Sequence, residues 1–300
     1  MDRVVEISDA SSRVSVRDRQ LVVFGGETLE SEVHRSPAED LLCVCLDGRR
    51  TVLSSSTLRS LMAAGTAVLV SDERHLPIGL MVPLVGYSEG ARRIRLQAEL
   101  SLPRRKRVWQ AVVRAKIEGQ AENLIECAPD AAVELRAMAR SVASGDVGNR
   151  EAQAARAYWK WVWSDRSFRR SNDADGRNGF LDYGYAVARA AVARAICAHG
   201  LHAAFGISHH ARENMFALAD DLMEPLRPMV DAVARNLIRE GSQDLGRDER
   251  MALAGVMHIP TLIGSERMPL ALAVQRMASS YAGVVEGRRK TVEIPQVLPE

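Results

Sequence analysis

Cysteine is scarce in this chain and is nowhere spaced for a shared metal or an obvious bridge. Of the four cysteines, Cys43 and Cys45 fall on one face of an expected strand, while Cys127 and Cys197 stand alone. With no Cys-x-x-Cys, neither a zinc site nor a disulfide framework is indicated, and a reduced, cytoplasmic setting is the expectation. No run approaches the roughly 20 apolar residues that a membrane span needs. The opening Met-Asp-Arg-Val-Val-Glu lacks the charged-then-apolar order of a secretory leader. Internal repeats and low-complexity tracts are absent too. Excess charge is small, +2 from 40 basic and 38 acidic side chains, so the total says nothing about a polyanionic partner.

What is present suffices for two domains: 300 residues, of which 47% are hydrophobic, in a pattern that changes character once. Residues 1–86 read as a β-rich N-terminal domain. Arg13 to Arg17, Gln20 to Phe24 and Leu41 to Leu46 are short runs rich in β-branched or apolar residues, punctuated by Gly25-Gly26 and Asp47-Gly48. Ser56 to Met62 reads as a capped helix ended by Gly65, and Thr66 to Ser71 as a strand. Pro77, Gly79, Pro83, Gly86 and Gly90 then cluster as a hinge. Residues 87–300 read as a larger all-α C-terminal domain, which makes the fold class α+β, multidomain.

Charge is local in the helical half. Arg92-Arg93-Ile-Arg95, Arg104-Arg105-Lys106-Arg107, Arg166 to Arg170 and Arg288-Arg289-Lys290 are basic knots. Arginine dominates them, and its planar fork suits phosphate better than an ammonium does. Solvated helix faces are the competing reading; several knots in one chain tilt the balance towards a polyanion. Helices are expected over 92–102, 104–117, 130–143 and 152–163. Tyr158, Trp159, Trp161 and Trp163 on the last read as core before base stacking. Glu151 stands in its first turn, where a carboxylate either complements the helix dipole or faces inward as a ligand. Residues 164–179 form a long polar loop, and a long apolar helix follows, closed by Gly200.

The densest chemistry lies in Gly206-Ile-Ser-His209-His210 and the run Asp220-Asp221-Leu-Met-Glu224-Pro225-Leu-Arg227-Pro228. Carboxylates beside Leu218, Leu222 and Met223 are costly to bury unless paired or bound to a cation. A helix over 213–224 would put Asp221 and Glu224 on one face, and Asp220 with Glu224 likewise. Pro225 and Pro228 would then break it. A histidine before the helix and a carboxylate at its break make a candidate metal site with mixed nitrogen and oxygen ligands.

Three pieces in this order resemble the CRISPR-associated integrase family (the Cas-one proteins): Asn149-Arg-Glu151, then Asn178 with Leu181-Asp-Tyr-Gly-Tyr185, then Gly206-x-x-His209 followed by Asp221-Leu-Met-Glu-Pro-Leu-Arg-Pro228. The Asn-Arg-Glu and Leu-Asp-Tyr-Gly-Tyr forms look most like the branch encoded beside the single-protein RNA-guided nuclease (type II systems). The resemblance implies that Glu151, His209 and Glu224 are the catalytic residues and ligands of Mg²⁺ or Mn²⁺, with Asp221 as an acidic residue behind them. His210 adjoins the ligand position, and the Gly-x-x-His spacing selects His209. It further implies transesterification: the 3′-hydroxyl of a captured DNA fragment attacks the repeat edge of a host array. Partners so implied are double-stranded DNA with 3′ ends, CRISPR repeat DNA, a second copy of the chain, the small Cas-two protein and the RNA-guided effector nuclease. Candidate phosphate contacts are Arg92, Arg93, Arg104, Arg105, Arg107, Arg166, Arg169 and Arg170. Asn178 and Tyr183 are candidates for the DNA path, with packing the other reading of Tyr183.

Two further classes compete. A carboxylate-bridged di-iron protein needs Glu-x-x-His on two helices, and the nearest order here, His210-x-x-Glu213, is reversed and single. A non-catalytic DNA-binding scaffold would keep the arginines and use the acids structurally.

Overall fold

The computed structural model describes residues 3–8, 11–73, 77–85, 90–163, 168, 170, 176–209 and 213–298. The N-terminal part is built from β1 (Arg3–Ile7), β2 (Ser11–Arg17), β3 (Gln20–Gly25), β4 (Ser31–Pro37), β5 (Leu41–Leu46), β6 (Arg50–Leu53), α1 (Ser55–Ala63), β7 (Ala67–Ser71) and β8 (Pro77–Met81). One sheet runs β1-β5-β7-β8 and the other β4-β3-β2-β6. In the first, β1, β5 and β7 are parallel and β8 closes the edge antiparallel. Strand β5 explains its own unbroken apolar run, because it is covered on both faces. Leu41 and Val44 join Val14, Leu21 and Leu61 in a small core within this half. Leu42, Cys43 and Cys45 belong instead to the main core, which continues into the helices. Helix α1 starts where Ser54 Oγ accepts the Thr57 amide at 3.1 Å, a side-chain N-cap.

The rest is largely helical, as expected: α2 (Gly90–Ala98), α3 (Leu102–Glu122), α4 (Pro129–Arg140), α5 (Arg150–Trp161), α6 (Arg177–Ala198), α7 (Ala217–Met223), α8 (Arg227–Arg239), α9 (Arg247–Ala254) and α10 (Leu270–Val285). Helix α6 is buried on nearly all sides, which is what a helix apolar all round requires. It ends at Gly200, whose φ is +65°. The sequence did not foretell a small third sheet, β9 (Pro260–Ile263), β10 (Glu266–Pro269) and β11 (Gln296–Val297), in the order β10-β9-β11. Its strands are too short for a periodic signal, and the chain's tail supplies one of them.

A buried ionic cluster joins the halves. Arg250 of α9 donates from Nε to Glu6 Oε1 of β1 at 2.5 Å and pairs with Asp47 at 3.1 Å. Tyr183 of α6 donates its hydroxyl to the other oxygen of Glu6. Arg194 of α6 donates to the Leu41 carbonyl at 3.0 Å. No helix among the described residues is long and apolar enough to cross a membrane.

Candidate functional site

Glu151 is placed by the turn before α5. Asp146 and Asn149 both take left-handed backbone, with φ of +48° and +49°, a conformation that Asn and Asp tolerate better than most residues. The Asp146 carboxylate then accepts the Arg150 amide at 2.8 Å and the Glu151 amide at 3.0 Å. A negative side chain thus caps orphan donors at the helix start. Glu151 follows in the first turn, pointing towards α3.

Glu224 comes from a different local device. The expected helix over 213–224 begins only at Ala217, and Glu224–Leu226 tighten into a 3₁₀ turn with Pro225 inside it. The backbone stays right-handed helical from Ala217 through Arg227, so Asp221 and Glu224 remain three apart on adjoining turns, but they take different partners. Asp220 pairs with Arg189 at 2.6 Å, Asp221 turns to the loop before the helix, and Glu224 turns to α3. Three carboxylates within five residues thus serve three separate partners.

Glu151 and Glu224 meet around Lys116 of α3. The Lys116 ammonium lies 2.7 Å from Glu151 Oε1 and 2.5 Å from Glu224 Oε2. The other oxygen of Glu224 accepts from Arg227 Nε at 2.8 Å. Lys116 is 9% exposed and Glu224 4%, so these charges are tolerated only because they neutralise one another. Burial alone would raise the Glu224 pKa, but Arg227 and Lys116 outweigh it and hold the carboxyl below its ordinary value. Burial likewise pulls the Lys116 pKa down, and the Glu224 and Glu151 charges reverse the sign, keeping the ammonium protonated. Lys116, Glu224, Arg227 and Arg170 line one cavity of about 240 Å³.

A second buried carboxylate lines the same cavity. Asp231 of α8 accepts the Tyr158 hydroxyl at 3.0 Å and also that of Tyr185. Burial pushes its pKa up to about 6, with the Tyr185 and Tyr158 hydrogen bonds acting against the rise. Arg227 lies over the Tyr185 ring, 4.5 Å from its centroid, and so connects the two carboxylates.

His209 comes from the loop before α7 and faces α3, near enough to Glu224 to feel its charge. Asp221, fully buried, accepts the Ile207 amide at 2.5 Å, the Ser208 amide at 2.9 Å and the His209 amide at 3.2 Å. It also lies 2.6 Å from His209 Nδ1. This bond draws the Nδ1 proton to Asp221 and raises the His209 pKa, against the lowering effect of burial. The half-exposed ring rests edge-on against Trp109, 6.0 Å between centroids. The loop closes this tightly only because residue 206 is glycine. A Cβ there would lie 2.3 Å from the His209 carbonyl oxygen and 3.0 Å from Asp221 Oδ2.

The structure thus brings Glu151 and Glu224 together and sets Asp221 behind His209. His209 stands within reach of the Glu224 charge, although among the described residues no three His, Cys, Asp or Glu side chains already form a metal cage. His210, Arg166 and Arg169 lie outside the described residues.

The remaining candidates divide. Arg92, Arg104 and Arg107 are exposed on α2 and α3. Arg93 is not a surface residue as expected: it is 4% exposed and paired with Glu286 of α10 at 2.5 Å. Arg105 is half-buried and fastens the α2–α3 corner, donating to the Leu100 carbonyl at 2.9 Å. Tyr183 is fully buried with its hydroxyl on Glu6, so packing, not a DNA path, is its place. Asn178 is 8% exposed and accepts from Arg170 at 2.9 Å, which puts it behind the cavity wall and not on open surface.

Sequence reasoning missed Lys116, although a signal existed. Val112, Val113, Ile117 and Ala121 mark the buried stripe of α3, and Lys116 falls within it. A lysine in such a stripe announces a buried acidic partner. Asp231 and its tyrosines left no comparable trace.

Together these features define a class: a two-part α+β protein whose helical half holds two glutamates around a single cation, beside arginines and an oriented imidazole. The chain belongs to the family described as CRISPR associated protein Cas1, which matches residues 5–254. It is 35% identical over 291 residues to the CRISPR-associated endonuclease Cas1 of Neisseria meningitidis serogroup C (strain 8013), covering 96% of this chain and 94% of that protein. Among solved structures it resembles a casposase bound to integration product, with TM-score 0.78 at 17% identity over 97% of this chain and 92% of that one. It also resembles a Cas6-RT-Cas1–Cas2 complex, with TM-score 0.73 at 16% identity over 96% of this chain and 35% of that one.

Proposed function

We propose that this chain is the DNA integrase and endonuclease of CRISPR adaptation, joining the 3′ ends of foreign fragments to the repeat array by transesterification in the cytoplasm. The observation that carries this reading is the convergence of Glu151 and Glu224, from separate elements, on one positive charge beside a cavity walled by Arg170 and Arg227. Phosphodiester exchange builds negative charge on phosphoryl oxygens, and a site that gathers cations answers that charge.

The donor set fits Mg²⁺ or Mn²⁺. Two carboxylates already share a cation, and Asp221 fixes His209 through Nδ1, leaving Nε2 to face an ion, as a carboxylate behind a ligating histidine does. Glu151, Glu224 and His209 would hold the ion, which when bound supplies charge neutralisation and a more acidic attacking hydroxyl. Arg227 keeps Glu224 ionised, and Arg170 presents a planar donor at the cavity wall. Exposed Arg92, Arg104 and Arg107 would take backbone phosphates, which makes DNA affinity fall steeply with salt.

Three lines support partners. A relative by fold is named as a Cas1–Cas2 complex, which favours a small Cas2 partner here. Ile78, Met81, Leu84 and Val85 are exposed at and just beyond the edge strand β8, an apolar strip suited to a second copy of the chain. The Neisseria relative favours the type II branch and, with it, the effector nuclease as a further partner.

The test uses purified protein, the small partner, a pre-cut duplex and a repeat-containing target, with and without chelator. Glu151→Gln, His209→Ala and Glu224→Gln are each expected to lower strand transfer by about a hundredfold or more, the scale of losing one preorganised charge-stabilising group. Undiminished transfer by all three would establish the non-catalytic scaffold instead.

A further inference from the structure

Lys116 occupies the point towards which both glutamates turn. Its ammonium is 2.7 Å from Glu151 and 2.5 Å from Glu224, and no solvent-facing role explains a lysine that is 9% exposed on the buried stripe of α3. A divalent ion drawn to the same carboxylates would stand within a few ångströms of a fixed positive charge. At such separations like charges repel strongly even at the effective dielectric of a protein surface. The ammonium and the ion therefore compete for the pair.

The surroundings offer the lysine somewhere to go. Its anchor on α3 is rigid, but its four-carbon stem has several rotatable bonds, and its head borders the cavity shared with Arg170 and Arg227. A phosphate entering that cavity is an alternative anionic partner for the ammonium. Once there, it draws Lys116 away from the carboxylates and frees them.

We infer that Lys116 is an internal counter-cation, a positioning residue that holds Glu151 and Glu224 in the metal-free protein and passes to a DNA phosphate, so that DNA and divalent metal bind cooperatively. This rests on the proposed reading that the two glutamates take a divalent ion. In the free protein the lysine keeps a buried acidic pair neutral and keeps metal affinity low. The site is then fully loaded only with DNA in place, which restrains untimely strand cleavage.

Direct Mn²⁺ binding is the test, read as free-ion signal by electron paramagnetic resonance, on the full chain with and without the pre-cut duplex. Wild type should bind Mn²⁺ about tenfold or more tightly once the duplex is added. Lys116→Met should bind Mn²⁺ tightly without DNA and gain no more than about twofold from it. Lys116→Arg, which keeps the charge, should restore weak binding without DNA and the gain with it. Thermal melts in chelator check that each variant folds. If Lys116→Met does not fold, Lys116→Gln takes its place, and reciprocity requires Mn²⁺ to tighten DNA binding by wild type by the same factor. Equal Mn²⁺ affinity in wild type and Lys116→Met, or a gain with DNA that survives in Lys116→Met, would overturn the inference while leaving the metal site intact. Failure of wild type to bind Mn²⁺ at all, with Glu151→Gln and Glu224→Gln indistinguishable from it, would remove both.

Discussion

Replacing Asp231 by Asn should flatten the dependence of stability on pH. Asp231 is 1% exposed and holds two tyrosine hydroxyls, and its pKa is pushed up from 3.8 to about 6. A folded-state value above the unfolded one means that the native protein prefers the protonated acid. Its contribution is therefore complete below about pH 4 and is lost as pH rises through about 6. The span from 3.8 to about 6, at roughly 1.4 kcal/mol for each tenfold in proton affinity, is worth about 3 kcal/mol. Urea denaturation at pH 4.5, 6 and 7.5 measures it, with the difference between wild type and Asp231→Asn as the quantity of interest. His209 also carries a raised pKa and loses its stabilisation with rising pH, but it is common to both proteins and cancels. Asp231→Asn should gain on wild type by about 2 kcal/mol between the lowest and highest pH, since part of the span is already lost at pH 4.5. Parallel profiles would show that the two tyrosines and Arg227 stabilise the ionised carboxylate fully, and that burial does not govern this residue.

Gly206→Ala should lower stability by roughly 1–3 kcal/mol, the range for forced overpacking, because its Cβ falls 2.3 Å from the His209 carbonyl; an unchanged melting temperature would mean the loop is looser than the geometry implies. Tyr183→Phe removes one donor to Glu6 and should cost about 1 kcal/mol with DNA affinity unchanged in a filter-binding titration; weakened DNA binding at unchanged stability would restore the DNA-path reading. Arg250→Ala strands Glu6 and Asp47 as buried acids and should lower the urea midpoint by an amount equal to about 3–5 kcal/mol. A shift worth less than about 1 kcal/mol would mean that water repairs the cluster.

Much of the fold can be read along the chain because it depends on neighbours in sequence. The apolar run of β5, the cap at Ser54 and the glycine stop after α6 act within a few residues, and periodicity reports them directly. Glu151, His209 and Glu224 stand out for another reason: each lies in a short motif that carries the family resemblance, and their role as ligands is the proposal made above. Partners were the harder matter. Asp221 and Glu224 lie three apart on helical backbone, but one serves the His209 loop and the other Lys116. Tyr183, for which packing stood beside the DNA path, and Arg93, read as a phosphate contact, both bond acids far along the chain, Glu6 and Glu286.

By itself, then, the sequence determined the β-rich and helical halves and most of the longer helices, and which acids and imidazole stand out as chemical. Only the tertiary structure decided what each charge faces. Burial makes an unpaired charge too costly to keep, so Lys116, Glu151 and Glu224 are defined by one another, and that mutual dependence exists only once three distant elements have packed.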